Sequence, residues 1–119
     1  MVSRTPEITS LQTWRDPVHI IVWSWLLNGD DGVAIEMPGS SDRSIQFAGT
    51  FGTGGTIQIE GSNNGSNYVV LTDPQGNNIS KTTSSLEMIT ELTRYIRPRV
   101  TAGDGTTNLA STLLVKLVK

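Results

Sequence analysis

The sequence predicts an all-β fold, an antiparallel β-sandwich of about seven to nine strands. The first indication is the alternation of polar and apolar residues in segments 44–47 and 56–60. The second is the recurrence of Gly, Asn, Asp and Pro, which interrupt the apolar segments about every eight to twelve residues. The chain has 119 residues, enough for one domain with two packed sheets.

Residues 1–17 are predicted to form an extended N-terminal arm, and residues 18–119 are predicted to form the sandwich domain. The arm is mostly polar, but it contains the apolar residues Leu11 and Trp14. An exposed Trp is unfavourable unless something covers it, so one hypothesis is that Leu11 and Trp14 dock on a neighbouring subunit. The alternative is an ordinary frayed terminus.

The first strong strand is predicted over residues 18–27, which are apolar on both faces of a strand. Strand spacing places Ile21, Trp23 and Trp25 on one face. It places Ile20, Val22 and Leu26 on the other face. We therefore expect cover on both sides, one from the core and the other from the arm or another chain.

A turn is predicted at residues 28–32 from its Asn, Asp and Gly residues, followed by a short strand at 33–37. Residues 43–51 and 56–60 are predicted to form a hairpin joined by a glycine-rich connection. Its inward-facing residues are expected to be Ile45, Phe47, Ile57 and Ile59.

The remaining strands are predicted over residues 68–71, 77–83, 86–90, 94–101 and 109–118. A turn is expected at residues 73–76, where Asp can cap and Gly tolerates positive φ. The apolar spacing around Leu86 also fits one helical turn. Pro98 cannot donate a hydrogen bond, so it marks an edge or a bulge where the strand changes partner.

Composition excludes several function classes. The net charge of -2 and the pI of about 5.2 predict no nucleic-acid partner, because such proteins usually carry a concentrated basic face. The chain has no Cys and a single His, which argues against disulfides, zinc sites and a catalytic triad. The apolar segment 18–27 is too short to span a bilayer, and neither a signal peptide nor a membrane partner is expected. No cofactor and no enzymatic activity are predicted.

Three other kinds of site receive little support. Segment 28–32 lacks the alternate acidic ligands and the final Glu of a calcium loop. The glycine-rich segment 52–55 lacks the Lys of a phosphate-binding loop. Most carboxylates lie in turns, where capping accounts for them, although a catalytic pair carried by loops stays open at this point.

Aromatic and arginine residues are the remaining candidates. Trp23 and Trp25 are expected to be core or interface anchors, the alternative being a sugar-stacking platform. Arg97 and Arg99 share a strand face, which could bind acidic groups or a glycan. The alternative is salt bridging to a neighbouring strand or subunit, for example with Glu87 or Glu91.

Several blocks of sequence occur in a recognisable order. They are GTFG at 49–52, GSNNG at 61–65, LTDPQG at 71–76 and YIRPRVTAGDGTT at 95–107. Because of these blocks and their order, the chain resembles small virion proteins of tailed phages, of the head decoration or cement type. It departs from them at Asn64, where an acidic residue is common, which weakens any idea of a cation there. A similar block order is found in discoidin-like sugar-binding β-sandwiches.

The resemblance implies a structural virion protein that binds the major capsid protein on the outer capsid surface and stabilises the shell. It also implies self-association, with a homotrimer as the expected form. The hypothesis places the subunit or capsid contacts at Leu11, Trp14, Trp23, Trp25, Arg97 and Arg99. The alternatives are a carbohydrate-binding module that uses Tyr68, Asn63, Asn64 and Arg97, and a head–tail connector or tail component.

Overall fold

The structure, a computed structural model, describes residues 1–12, 17–37 and 40–117. Side chains are described for these residues except 11, 12, 17, 40, 41 and 117. The described residues form twelve strands and no helix. The strands are β1 (Ser3–Arg4), β2 (Glu7–Gln12), β3 (Pro17–Leu26), β4 (Asp31–Gly32), β5 (Ile35–Glu36), β6 (Ser40–Thr50), β7 (Thr56–Ser62), β8 (Val69–Val70), β9 (Ser80–Lys81), β10 (Ser85–Met88), β11 (Tyr95–Ala102) and β12 (Asn108–Leu117).

The strands make two sheets that pack face to face. One has five strands in the order β10-β6-β12-β3-β2, all antiparallel. The other has seven, with the path β1-β4-β11-β7-β8, β5 beside β11 and β9 beside β7. Only the short pair β1–β4 is parallel among the described strands. The predicted antiparallel β-sandwich is confirmed.

A single core lies between the sheets. The five-stranded sheet contributes residues such as Trp23, Phe47 and Leu113, and the seven-stranded sheet contributes residues such as Ile59 and Ile96. The four side chains predicted to face inward from segments 43–51 and 56–60 are all buried. Period-two alternation therefore identified the core faces correctly.

The predicted hairpin is wrong, although its inward-facing residues are right. Strand β6 pairs with β10 and β12 in one sheet, whereas β7 pairs with β11, β8 and β9 in the other. The connection at residues 51–55 therefore crosses from sheet to sheet instead of closing a hairpin. Alternation specifies which face of a strand is buried, and it leaves the hydrogen-bonding partner unspecified.

Pro98 lies where the strand β11 changes partner, which is one of the two positions that the sequence predicted for it. On one side β11 pairs with β5 at Tyr95 and Ile96 and with β4 at Arg99, and Pro98 lies between those contacts. The missing N–H therefore coincides with an interruption of the neighbouring strand. The edge-strand alternative is wrong, since β7 pairs along the other side of β11.

The segment around Leu86 is a strand and not a helical turn. Residues 85–88 form β10, which pairs with β6 and gives the five-stranded sheet one of its edges. Its side chains alternate, so Leu86 and Met88 face outward and are 63% and 51% exposed.

The N-terminal residues lie within the sandwich rather than extending from it. Strand β1 pairs with β4, and β2 pairs with β3 along the edge of the five-stranded sheet. Arg4 forms an ion pair with Asp30 at 3.2 Å, which ties β1 to the turn that follows β3. Trp14 and the side chain of Leu11 lie outside the described residues, so their predicted docking role stays a prediction.

Candidate interaction surfaces

The outer face of the five-stranded sheet carries a band of apolar side chains. Strand register places Met88 next to Ser44, Ser44 next to Leu114, and Leu114 next to Ile20. Their sequence neighbours face the core, so these four side chains face outward. We call this surface the apolar band, and its members are Ile20, Val22, Leu86, Met88 and Leu114.

The exposure of the apolar band is unusual for the surface of a domain with a complete core. Leu86, Met88 and Leu114 are 63%, 51% and 39% exposed, and Ile20 and Val22 are half-buried. Polar Ser44, Gln46 and Thr112 lie between members of the band, so the apolar side chains are interspersed with polar ones. Exposed apolar side chains grouped on one face of a sheet are nevertheless typical of an interaction site. At one end the band borders a groove of about 520 Å³ between Val18, Met88, Leu114 and Lys116.

At the other end of the sheet, a β-bulge reverses the phase of β3. Trp23 pairs with Ser111 and Leu26 with Leu109, so two residues of β3 oppose Ala110 alone. Ile21 and Trp23 share the core face, but Leu26 is also buried and Trp25 is 66% exposed. The prediction that Trp25 shares a face with Trp23 is therefore wrong, because a bulged residue shifts every later side chain to the opposite face.

Trp23 belongs to the core and not to an interface. It is fully buried, and its indole N–H donates to the carbonyl oxygen of Val33 at 3.0 Å. Gly32 lies directly against the ring, since a Cβ at that position would be 2.4 Å from Cδ1 of Trp23. The hypothesis that placed Trp23 at a subunit contact is corrected on this ground, because a fully buried ring has no surface to offer a partner.

The outer face of the seven-stranded sheet carries a network of charges. Arg97 forms ion pairs with Glu60 at 3.1 Å and with Asp31 at 3.5 Å, and its guanidinium lies over the Tyr68 ring at 3.9 Å. Arg99 also contacts Glu60, at 3.5 Å. The carboxylate of Glu60 is buried and shared between both arginines, so it holds the two side chains in register.

The salt-bridging interpretation of Arg97 and Arg99 is correct, but the partners named from sequence are not. Glu87 pairs with Lys81 at 2.9 Å, and Glu91 accepts hydrogen bonds from Thr72. Both glutamates are distant along the chain from β7, which supplies the real partner. Sequence offers no signal for this pairing, because β7 becomes the neighbour of β11 only in the assembled sheet.

A third arginine extends this surface toward solvent. Arg94 pairs with Glu36 at 2.6 Å and lies over the ring of Tyr95 at 5.4 Å. The hydrogen bond and charge of Arg94 hold the pKa of the Glu36 carboxyl below its usual value. Arg94 and Arg99 are both at least half exposed, so their guanidinium groups reach the surface while each is anchored to a carboxylate.

The residues considered for sugar binding mainly stabilise their own loop. The side-chain oxygen of Asn64 accepts from the amides of Ser66 and Asn67, and that of Asn63 accepts from the amide of Arg94. One face of the Tyr68 ring is covered by Arg97. The side-chain oxygens of both asparagines are therefore engaged within the chain, and only one face of the Tyr68 ring is left for a sugar.

The described part of the chain offers little for metal binding or membrane insertion. Within residues 1–12, 17–37 and 40–117 there is no group of three or more acidic or histidine side chains placed to hold a metal ion. The same residues include no long apolar helix of the kind that crosses a bilayer. Arg43 is buried, where its guanidinium donates to Thr93 and burial lowers its pKa.

Comparison with known proteins shows the fold alone. The crystal structure of the SPBc2 prophage-derived protein YomS is similar, with a TM-score of 0.63, 9% identity, and coverage of 91% of this chain and 99% of that chain. A carbohydrate-binding module from Cellvibrio mixtus lichenase 5A, in complex with cellotriose, aligns with a TM-score of 0.33, 12% identity, and coverage of 96% and 87%; nothing is concluded from so low a score. No protein-family profile and no curated protein sequence matches the chain.

Proposed function

We propose that this chain is a non-enzymatic structural protein of a tailed bacteriophage, and specifically a decoration protein that binds the outer capsid surface. The observation that carries the proposal is the apolar band on the five-stranded sheet. The domain already has its own core between the sheets, so folding does not require this additional apolar surface. An assembly protein that works as several copies requires one.

Two further observations support a phage particle as the setting. The blocks at 49–52, 61–65, 71–76 and 95–107 resemble those of tailed-phage virion proteins. The fold is similar to that of a protein described as prophage-derived. The two observations come from different information, one from sequence motifs and the other from backbone geometry, and both support a phage origin.

The two faces of the sandwich suit two different partners. We assign self-association to the apolar band, because obligate contacts between copies are usually more apolar than other interfaces. We assign capsid contact to the outer face of β11 and to Arg94 directly before it, because Arg99 and Arg94 reach solvent there from anchored positions. Fixed arginines can bind carboxylates on a capsid surface with little loss of side-chain entropy.

Stabilisation of the shell follows from linkage. A protein that binds only the assembled capsid lowers the free energy of that state and not of its free subunits. An oligomer that contacts several capsid subunits at once gains avidity, so each contact can be weak. A homotrimer at a three-fold position is the arrangement expected from the resemblance.

The proposal is tested with expanded capsids of the phage that encodes the chain, purified without this protein. We expect the chain to co-sediment with them and to raise the temperature at which they release DNA. Replacement of both exposed arginines, Arg94→Gln with Arg99→Gln, should weaken attachment by about tenfold and reduce its salt dependence. The control is Lys81→Gln, which removes the same type of charge from the side of the sandwich.

Failure of the wild-type chain to bind these capsids at any salt concentration rejects the decoration role. Equal binding by the double variant and the control would reject the assignment of β11 as the capsid contact. Saturable binding of oligosaccharides by the monomer, with no capsid binding, would favour the carbohydrate-binding alternative.

A further inference from the structure

We propose that copies of this chain associate by inserting Trp25 of one copy into a groove beside Trp25 of another. The inference deepens the self-association contained in the proposed function and identifies the contact. Three features of the five-stranded sheet carry it: the conformation of Trp25, the groove next to it and the position of both on one face.

Trp25 is held in an unfavourable way on two counts. It has a φ of 59°, the one positive φ of a non-glycine residue in the described chain. Such backbone is strained for a bulky side chain and is retained mainly where a function requires it. The ring is also 66% exposed, which leaves a large apolar surface in water. The strained backbone belongs to the bulge that returns Leu26 to the core, but the exposure of Trp25 has no such return within the single chain.

The bulge makes the side chain of Trp25 project from the outer face of the sheet. Ser24 and Trp25 together oppose Ala110, and both are exposed, while Leu26 returns to the core. Bulges commonly redirect a side chain at a functional position. Here the redirected side chain is a Trp, the residue type most enriched among the anchors of protein interfaces.

The groove beside Trp25 can receive an aromatic ring. It has a volume of about 400 Å³, and small residues lie along it, namely Ala48, Gly49 and Ala110. Register places Ala48 next to Ala110 on the outer face, so these two small residues form a shallow floor there, whereas the Leu109 side chain next to Gly49 is buried in the core. Gly49 has a φ of 123° and almost no space for a Cβ, so the floor there stays low.

The occupant we infer is a second copy because the projecting ring and the groove lie on the same face of one chain. Two copies that meet face to face each supply what the other lacks, which is the requirement of a self-complementary contact. Such a contact has two-fold symmetry and gives a dimer, in contrast to the homotrimer that the resemblance implies. The apolar band continues from Val22 along the same face. The exposed two-thirds of Trp25 and the exposed side chains of the apolar band both contribute area to this contact.

Charges of both signs border this contact. Arg4 and Glu7 lie along a smaller groove of about 240 Å³ on the other side of Trp25. A surface with one net sign would repel its own copy, whereas a surface with both signs can pair with itself. This arrangement favours a second copy over a strongly charged partner.

The test is sedimentation equilibrium of the full chain over a wide concentration range. We expect wild-type protein to associate and Trp25→Gly, which suits the positive φ, to associate at least about 30-fold more weakly. Ala48→Phe should weaken association by a similar factor, because it fills the groove from an exposed position and leaves Trp25 intact. The control is Val69→Ser, at a residue equally exposed (66%) on the other sheet, which should associate like wild type.

A monomeric wild-type protein at all concentrations overturns the inference. So does unchanged association of either Trp25→Gly or Ala48→Phe, provided that circular dichroism shows the variant folded. Oligosaccharides that quench the tryptophan fluorescence of the monomeric wild type, but not that of Trp25→Gly, would also overturn the inference, because the groove would then be a sugar-binding site. Capsid co-sedimentation is measured separately, so a chain that associates through Trp25 but binds no capsid rejects the proposed function alone.

Discussion

Two tryptophans two residues apart in β3 should respond very differently to the same substitution. In Trp23→Ala, loss of a fully buried ring should cost about 3–5 kcal/mol of unfolding free energy. The variant also leaves the Val33 carbonyl without its indole donor, which adds about 1 kcal/mol. In the folded chain only about one-third of the Trp25 surface is buried, roughly 70 Å². Trp25→Ala should therefore lower the unfolding free energy by at most about 2 kcal/mol.

The assay is urea denaturation followed by far-ultraviolet circular dichroism, which does not depend on the tryptophans that are replaced. With a slope of about 1–3 kcal/mol per molar urea, the midpoints of the two variants should differ by about 1 M or more. Measurements at low protein concentration keep self-association from adding to stability. Equal losses, or a larger loss in Trp25→Ala, would refute the bulge and the core role of Trp23.

Three further predictions concern the charges and the tight packing. Arg97→Met should lower the unfolding free energy by about 1–3 kcal/mol, because it leaves the buried Glu60 with fewer partners; chemical denaturation measures it, and a neutral result would contradict the network. The pKa of Asp30 is lowered, because amide and Arg4 hydrogen bonds outweigh the opposing effect of burial. This carboxylate therefore stabilises the fold above its unfolded pKa of about 3.9, and its contribution should be lost as the pH falls from there through the lower pKa of the folded state. Thermal melts over this pH range should show a smaller loss of stability in Asp30→Asn than in the wild type, and equal losses would contradict the role of Asp30. Gly32→Ala should destabilise by about 1–3 kcal/mol in thermal melts, since its Cβ would lie 2.4 Å from Trp23; an unchanged melting temperature would contradict the close packing.

The position of the N-terminal residues changes one expectation for truncation. An independent arm could be removed without effect on the fold, but residues 1–12 form an edge strand and the partner of β4. Deletion of these residues should therefore lower the melting temperature and expose the edge of β3. A truncated chain with an unchanged melting temperature would restore the interpretation of a separate arm.

Sequence reasoning was most successful where a short segment carries its own physical signal. The turn at residues 73–76 forms as predicted, with Asp73 accepting from the amides of Gln75 and Asn77 and Gly76 at a φ of 86°. The apolar character of both faces of β3 predicted that the strand needs cover beyond the core. The outer side chains Ile20 and Val22 are half-buried within one chain, and the predicted cover from the arm or another chain stays a prediction.

Sequence reasoning failed at the bulge and at the charge network. Nothing in the residues from Trp23 to Leu26 distinguishes a regular strand from one that carries an extra residue, because the partner strand decides the register. The same holds for Arg97 and Glu60, which are far apart in the chain and meet across β11 and β7.

Alternation and turn chemistry act over a few residues, so the amino-acid order alone was enough for the β class, the core faces of most strands and several turns. The partner of each strand, the orientation of Trp25 and the ion pairs of β11 depend on contacts between distant segments. Those contacts are selected by the packing of two complete sheets, since many pairings satisfy the local pattern equally well and only the assembled sandwich excludes the others.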